Sequence, residues 1–415
     1  MYETMEHKTL LVSLVSDQTI PNVQLIKEFG EEVTDCFFIT TEGMEKKGTR
    51  QWIENACNVK GEFVEVNEYS FTDINEKLQT VDFDKYDKVF VNLTGGTKIM
   101  TMVAEDFFKS IGAEIFYVTG KKNEYIRVFP KKTKSVFTFE KKLTLSDYLT
   151  AYGFTFSEPK PAMFPIEVAE PIVDLYCSDE RIQANNEAIR FINVQRNKGK
   201  GVKTVDFAKV KPFLDEIHFP YQNEQISAAE VKYLSGEWLE EYVGLRIKDE
   251  LKLSDEEVFI GTNIFKEVGN SREKNSTRLL LGEDAELKNA DSMNEMDVVF
   301  MYGGKFYSIE CKSSVIAYKT VRDKDGNTIE KPYNILGETV YKSDSLKGKF
   351  GLFPQTAILT LTDLHDYWAN NEDKGLRNNR MREMEDFINR ANLSNIKLVD
   401  RKMVQNATTI FELIK

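Results

Sequence analysis

The residues with the clearest chemical potential lie in one predicted hairpin. Met296-Asp297-Val298-Val299-Phe300 enters it and Ser308-Ile309-Glu310-Cys311-Lys312 leaves it, with Gly303-Gly304 between as turn residues. Glu310 and Lys312 are two positions apart on a strand, so their side chains share a face. Asp297 precedes Glu310 by 13 residues across a short turn, which can bring the two carboxylates together. Two hard oxygen donors beside an ammonium fit a divalent cation, Mg²⁺ or Mn²⁺, that grips phosphate oxygens and activates water. The ordinary alternative is a surface hairpin with a Glu310–Lys312 salt bridge, but charged residues set among Val298, Val299, Phe300, Tyr307 and Ile309 are unusual for one.

Upstream, Gly236-Glu237-Trp238-Leu239-Glu240 places a glycine and an acid on a predicted helix, Ser227–Leu251, that precedes these strands. Helix, hairpin and later strand–helix pieces together resemble the PD-(D/E)xK restriction-endonuclease-like nucleases over Ser227–Lys415. The resemblance implies a catalytic set of Glu240, Asp297, Glu310 and Lys312, and a metal held by Asp297, Glu310 and the backbone carbonyl of Cys311. Lys342, Lys347, Lys349, Arg377, Arg380 and Arg382 are candidates for holding a nucleic-acid backbone, although each taken singly reads as solvated surface. His365 and Trp368 read as packing residues.

A second centre lies near the N-terminus. The predicted strand Lys88–Leu93 runs into Thr94-Gly95-Gly96-Thr97-Lys98 and then a helix with apolar positions at 99, 103, 107 and 111. Two glycines admit close backbone approach, the helix start offers unpaired N–H groups, and Thr94 and Thr97 add hydroxyls. Lys98 in the first turn opposes the helix dipole at a cost of about a few tenths of a kcal/mol, a conflict that an anionic ligand removes. The loop matches neither a Walker P-loop nor G-x-G-x-x-G. Ser13 and the polar run Ser16–Asn22 follow the first strand, and Thr40-Thr41-Glu42 follows the second, on the same edge. This arrangement resembles the CRISPR-associated Rossmann fold (CARF) sensor family over about residues 8–130. It implies a cyclic oligoadenylate site, with cyclic tetra-adenylate the expected messenger, formed by Ser13, Asp17, Gln18, Thr19, Asn22, Thr40, Thr94, Gly95, Gly96, Thr97 and Lys98.

The elements that must position these groups are legible as alternating periods. Apolar, β-branched runs at Thr9–Val15, Cys36–Thr41, Phe63–Val66, Lys88–Leu93 and Glu114–Thr119 alternate with helical spacing at Val23–Glu32, Met44–Cys57, Asp73–Thr80 and Ile99–Ile111. That alternation predicts a parallel sheet covered on both faces by helices. Pro159, Pro161, Pro165 and Pro171 read as a linker, and Asp179–Asn193 and Val205–Ile217 as helices of a small helical or winged-helix module, separated by a flexible Asn197–Gly201. Further on, Val258–Phe265, Met296–Tyr302, Lys305–Lys312, Thr356–Leu361 and Ile396–Val399 read as strands and Arg382–Ala391 as a helix, around a polar loop at Gly269–Asn294. The expected organisation is a Rossmann-like α/β CARF domain at 1–135, a linker and small helical region at 136–226, and a restriction-endonuclease-like α/β domain at 227–415.

Composition narrows the function classes. A formal net charge of −12, from 55 basic and 67 acidic residues, excludes a histone-like coat, so any polyanion must meet a local basic site. Four separated cysteines are too few for a disulfide framework, argue against a structural zinc site and suit a reducing cytoplasm. Three scattered histidines exclude H-E-x-x-H chemistry, and no apolar run reaches 18 residues, so no membrane contact is expected. Together the two resemblances imply a CARF-nuclease effector of type III CRISPR immunity, of the dimeric Can/Card class. Such an effector is a homodimer that senses the messenger and cleaves DNA, RNA or both. The competing readings are a ligand-responsive nucleic-acid-binding regulator and a constitutive restriction-type endonuclease whose first domain only dimerises.

Overall fold

The computed structural model describes residues 7–120, 122–159, 161–266, 294–322, 328–352, 354–365 and 374–415. Most of the expected polar loop at Gly269–Asn294, and Trp368, lie outside the described residues.

β1 (Thr9–Leu14), β2 (Asp35–Thr40), β3 (Gly61–Glu65), β4 (Lys88–Asn92) and β5 (Glu114–Val118) run parallel, as their continuous apolar runs predict. β6 (Glu124–Phe129) and β7 (Val136–Thr138) extend the edge antiparallel, giving the order β3-β2-β1-β4-β5-β6-β7. All of β1 is buried, and successive side chains divide between two cores: Leu11 on one face, Leu10, Val12 and Leu14 on the other. The connecting helices are α1 (Ile20–Glu28), α2 (Glu42–Lys47), α3 (Thr49–Cys57), α4 (Phe71–Gln79) and α5 (Lys98–Ser110). The expected single helix Met44–Cys57 is divided at Gly48, whose φ of 84° closes α2. Strand order reverses direction between β1 and β4, so the loops after these two strands meet over one crevice, where open α/β sheets bind ligands.

α6 (Leu145–Ala151) packs on this first sheet, but β8 (Phe154–Phe156) is already the edge strand of a second. The sheets therefore part between 138 and 154, not at 135, because β7 finds its partner in β6 and β8 finds its partner in β9 (Val258–Lys266). The intervening helices are α7 (Ile166–Tyr176), α8 (Asp179–Ala184), α9 (Asn186–Asn197), α10 (Thr204–Phe207), α11 (Lys211–Glu216), α12 (Ala228–Lys232) and α13 (Trp238–Leu251). Pro165 caps α7 and Pro171 lies inside it, so this part of the expected linker is helical. Nor does a winged helix appear among the described residues. Ile172, Ile192, Phe207 and Phe213 join one core with Trp238, Val298, Ile309 and Val399 of the C-terminal part, so the segment is bound into the second domain. The expected flexible Asn197–Gly201 is pinned at its end by the Val202–Ile226 bridge, and a Cβ at Gly201 would run into the Ile226 carbonyl oxygen.

In the second domain, β10 (Asn294–Tyr302) and β11 (Lys305–Lys312) form the expected hairpin, with Gly303 and Gly304 at φ 57° and 74° as a two-residue turn requires. β12 (Ile316–Arg322) and β13 (Thr328–Asn334) make a separate ribbon, followed by α14 (Leu336–Lys347), β14 (Gln355–Thr360), α15 (Lys374–Leu393) and β15 (Ile396–Val399). The order β15-β14-β11-β10-β9-β8 puts the hairpin at the centre of the sheet.

The two domains share a core. Leu11, Phe38 and Tyr125 of the first belong to the same buried cluster as Phe259, Val299, Phe306 and Phe350 of the second. Tyr148 is the hinge-pin of this contact: its ring stacks on Phe306 at 4.9 Å and 5°, and its hydroxyl donates to the Phe350 carbonyl at 2.6 Å. Tyr148→Phe keeps the stack but leaves that buried carbonyl without its donor, and is expected to cost about 1–3 kcal/mol. Calorimetric melting should register a lowered midpoint; an unchanged midpoint would deny the hydrogen bond its structural role.

Candidate active site and ligand crevice

Asp297 and Glu310 stand one step beyond the register pair Val298–Ile309, at the end of the hairpin remote from its turn. Both are buried, at 7% and 8% exposure, although they are carboxylates. Asp297 Oδ2 accepts from the Cys311 N–H at 2.7 Å and from Lys312 Nζ at 3.3 Å, and Lys312 Nζ reaches Glu310 Oε1 at 2.7 Å. Lys312 thus bridges the two acids, as their spacing suggested. A second ammonium, Lys342 on α14, donates to both Glu310 oxygens at 2.9 and 3.1 Å. This places Lys342 inside the charge cluster, not on the outer surface where its sequence context put it. The Cys311 carbonyl, expected to ligate metal, accepts from Lys312 Nζ at 3.1 Å.

Glu240 comes from the first turn of α13. The expected unbroken helix Ser227–Leu251 is interrupted by a π-turn, Tyr233–Glu237, with Gly236 outside helical dihedrals, so Glu237 becomes the N-cap of a new helix. Burial pushes the Glu240 carboxyl up to about 9, helped by the nearby charges of Asp297 and Glu295. Asp297 is raised to about 6 by burial and then by Glu310, against the opposing pull of Lys312. Burial works against the charge on Lys312, but Asp297 and Glu310 outweigh it and hold its ammonium above the ordinary lysine range. A cavity of about 240 Å³ opens beside Glu240, lined also by Lys232, Glu237 and Gly261.

Sequence reasoning missed Glu295. It lies two residues before Asp297 and so on the same face of β10, exposed, and close enough to Glu240 to raise its carboxyl. The Glu-x-Asp alternation on a strand was the available signal. Lys342 had no local signal, because α14 meets β11 only in the folded sheet.

Among the described residues, no three His, Cys, Asp or Glu side chains gather closely enough to hold a metal ion by themselves. The donor set nevertheless fits a hard divalent cation. Glu240, Asp297 and Glu310 are hard oxygen donors that outnumber Lys312 and Lys342, and the Glu240 and Asp297 carboxyls are raised by burial and by neighbouring acids.

At the β1/β4 crevice the expected ligand residues separate into two groups. Several are engaged in the fold. Thr19 Oγ1 donates to the Ala151 carbonyl at 2.6 Å, and Asn22 bridges the Leu14 carbonyl (3.0 Å) and the Asn92 amide (2.6 Å). Thr94 Oγ1 donates to Asn92 Oδ1 at 2.6 Å and accepts from the Val118 N–H at 2.8 Å. Thr97 caps α5 and donates to the Glu68 carbonyl at 2.9 Å, so its one proton is not offered to a ligand. Ser13 and Thr40 are buried with hydroxyls that find no partner among the described residues. The rest face outward or line the crevice. A Cβ at Gly95 would strike the Leu14 carbonyl oxygen and Gly96 sits at φ 75°, so only glycines allow this loop. Lys98 is exposed at the first position of α5, without a carboxylate partner among the described residues. Asp17 pairs with Lys47. Gln18 turns toward the second domain, its Oε1 accepting from the Leu352 N–H at 3.2 Å and from Tyr152 at 3.4 Å.

Comparison with known proteins agrees with this architecture. Residues 10–148 match the family described as the Card1 CARF domain. Over its whole length the chain is similar to protein VC1899 from Vibrio cholerae: 16% identity, TM-score 0.67, 96% of this chain and 95% of that one covered. It is similar also to Can2 from Sulfobacillus thermosulfidooxidans in complex with cyclic tetra-adenylate: 19% identity, TM-score 0.64, 98% and 99% covered. At such identities the likeness establishes the fold. No curated protein matches the sequence. No helix among the described residues is long and apolar enough to cross a membrane. The chain is a mixed α/β protein whose residues 10–148 match the Card1 CARF domain family.

Proposed function

We propose that this protein is a metal-dependent nuclease switched on by a cyclic oligoadenylate, cyclic tetra-adenylate by preference, in type III CRISPR defence. The observation that carries the reading is the buried Asp297–Lys312–Glu310 cluster at the end of a hairpin whose turn packs on the CARF domain. The match of residues 10–148 to the Card1 CARF domain family, and the messenger bound to the similarly folded Can2, support the sensor half.

In this reading Asp297, Glu310 and Glu240 hold Mg²⁺ or Mn²⁺, with Glu295 at the outer edge. When bound, such an ion lowers the pKa of water and neutralises phosphate charge. The protein's own groups do the rest. Lys312 exchanges part of its contact with Asp297 and Glu310 for the phosphate, where its ammonium stabilises the charge that grows on the phosphoryl oxygens. Lys342 orients the Glu310 carboxylate by donating to both of its oxygens. The apolar flanks Val298, Val299 and Ile309 keep water out and the charges strong.

The messenger is read by Lys98 and the N–H groups of Gly95-Gly96 and of α5. A cyclic tetra-adenylate has two-fold symmetry, so the same loop from two subunits meets it best in a C₂ dimer. Activation requires that the messenger bind the cutting-competent arrangement more tightly than the resting one. Because the middle helices pack into the second domain, the regulator reading has no separate DNA-binding module to rest on.

Glu310→Gln and Asp297→Asn are each expected to abolish messenger-stimulated cleavage of labelled DNA and RNA, while Lys312→Ala should lose about a hundredfold or more in kcat. Gel-resolved kinetics in Mn²⁺ checks this, and full turnover by Glu310→Gln would remove the assignment. Lys98→Ala should weaken cyclic tetra-adenylate binding roughly tenfold, a loss of about 1.4 kcal/mol, with the stoichiometry held at one messenger per dimer. Calorimetry with scattering on the same sample reads both quantities. Unaltered affinity would withdraw Lys98 from the site, and one messenger per monomer would withdraw the shared site.

A further inference from the structure

The chain carries a net charge of −12, yet residues 188–205 contain five Lys or Arg and no Asp or Glu. They form all but the first two residues of α9, the loop after it and the start of α10. Arg190, Arg196, Lys198, Lys200 and Lys203 are all exposed. Most cations elsewhere on this surface have a carboxylate neighbour, as Lys109 has Glu105 and Lys209 has Asp206. Arg196, Lys198, Lys200 and Lys203 have none among the described residues. A run of unpaired, like charges repels itself, and an acidic chain offers many ways to relieve it. Such a run points to a polyanionic partner.

The loop is built, not loose. Val202 is buried and hydrogen-bonded in both directions to Ile226, and Gly201 lies against the Ile226 carbonyl where no Cβ fits. The cations on either side are therefore held out in fixed positions at low entropic cost.

Its place in the fold says which polyanion. At one end, Arg196 Nη1 lies 3.9 Å from the Cβ position of Gly236, in the π-turn that precedes Glu240 by one helical turn. At the other, Arg190 lies over the ring of Tyr318 at 5.8 Å, on the strand that follows Lys312 by six residues. α9 thus spans between the two elements that flank the candidate active site. Tyr318 is 55% exposed and offers a face on which a base can stack. From Arg190 to Arg196 the helix rises about 9 Å, which matches about three phosphates of one strand at roughly 3.4 Å each.

We infer that the α9 segment, with Arg190, Arg196, Lys198, Lys200, Lys203 and Tyr318, is the surface along which a phosphodiester strand approaches the site. The inference rests on the nuclease reading for its purpose, but binding can be measured apart from cleavage. The surface recognises phosphate backbone, and the substrate's sugar is for the experiment to distinguish.

The test uses the full-length protein with Glu310→Gln, so that bound strands stay intact. Arg196, Lys198, Lys200 and Lys203 are changed together to Ala, and Lys131, Lys132 and Lys142 are changed in a control. Affinity for labelled single-stranded DNA, duplex DNA and single-stranded RNA is followed by anisotropy over a salt series, with cyclic tetra-adenylate present. Loss of four phosphate contacts should reduce the slope of log K against log salt by about 3 to 4, with the smaller change for single strands. The control should keep its slope, and the arm that loses most identifies the preferred strand. An unchanged slope in the quadruple variant, or a parent that binds polyglutamate as well as it binds nucleic acid, would overturn the inference. Cleavage by the chain carrying Glu310 is scored separately. A slope that falls in a protein that never cuts would keep this surface and sink the nuclease reading. Cutting with an unchanged slope would do the reverse. Equal melting midpoints confirm that all variants are folded, as expected for exposed side chains.

Discussion

The arrangement of the second domain depends on one constraint: carboxylates buried at the centre of a sheet must have positive charge beside them. Asp297 and Glu310 are almost entirely removed from water, and Glu240 is close enough for its carboxyl to be raised by Asp297. Unpaired, each such charge would cost several kcal/mol to bury. Lys312 and Lys342 offset that cost from two directions, one from the same strand and one from α14. The compensation is incomplete, which is why Asp297 and Glu240 are raised while Lys312 is held charged. In the proposed function, a site left short of positive charge in a dry setting is the one that takes a cation. The same surroundings that make it expensive make it chemically strong.

That site is tied to the crevice of the first domain by short paths. The β10–β11 turn lies against Asn123 of the β5–β6 turn, with only 2.7 Å between Asn123 Oδ1 and the Cβ position of Gly304. The segment after α14 is held by Tyr148 at Phe350 and by Gln18 at Leu352, and α14 carries Lys342 to Glu310. Gln18 belongs to the loop after β1 that lines the crevice, so this loop is hydrogen-bonded to the segment that follows α14. Shared packing of this kind transmits displacement because a close-packed core resists gradual deformation. In the proposed function it is the physical link between sensing and cutting.

Much of this was legible before any coordinate. β1 to β5 declared themselves by apolar runs, and the hairpin by its alternation and its glycine pair. The Lys312 bridge followed from a period of two along a strand. The crevice followed from polar loops after β1 and β4. What misled was local as well. Prolines at 165 and 171 read as linker, but one caps α7 and the other sits within it, where packing against the second-domain core overrides propensity. That the hydroxyls of Thr19 and Thr97 donate to backbone carbonyls and that of Thr94 to the Asn92 side-chain oxygen is not visible in a sequence, which does not show which acceptors lie within reach.

Sequence alone therefore determined the elements with strong periodicity and the chemistry of residues close to one another along the chain, since both depend on short-range geometry that strands and helices repeat. Tertiary structure alone decided what depends on chain segments far apart. It brought Lys342 to Glu310 across 32 residues and turned Gln18 toward Leu352 across 334. It placed β8 in a sheet whose other strands begin more than 100 residues later, and packed α9 against the π-turn that precedes Glu240. These contacts are fixed by how two sheets and their helices share one core, and no window of sequence contains that information.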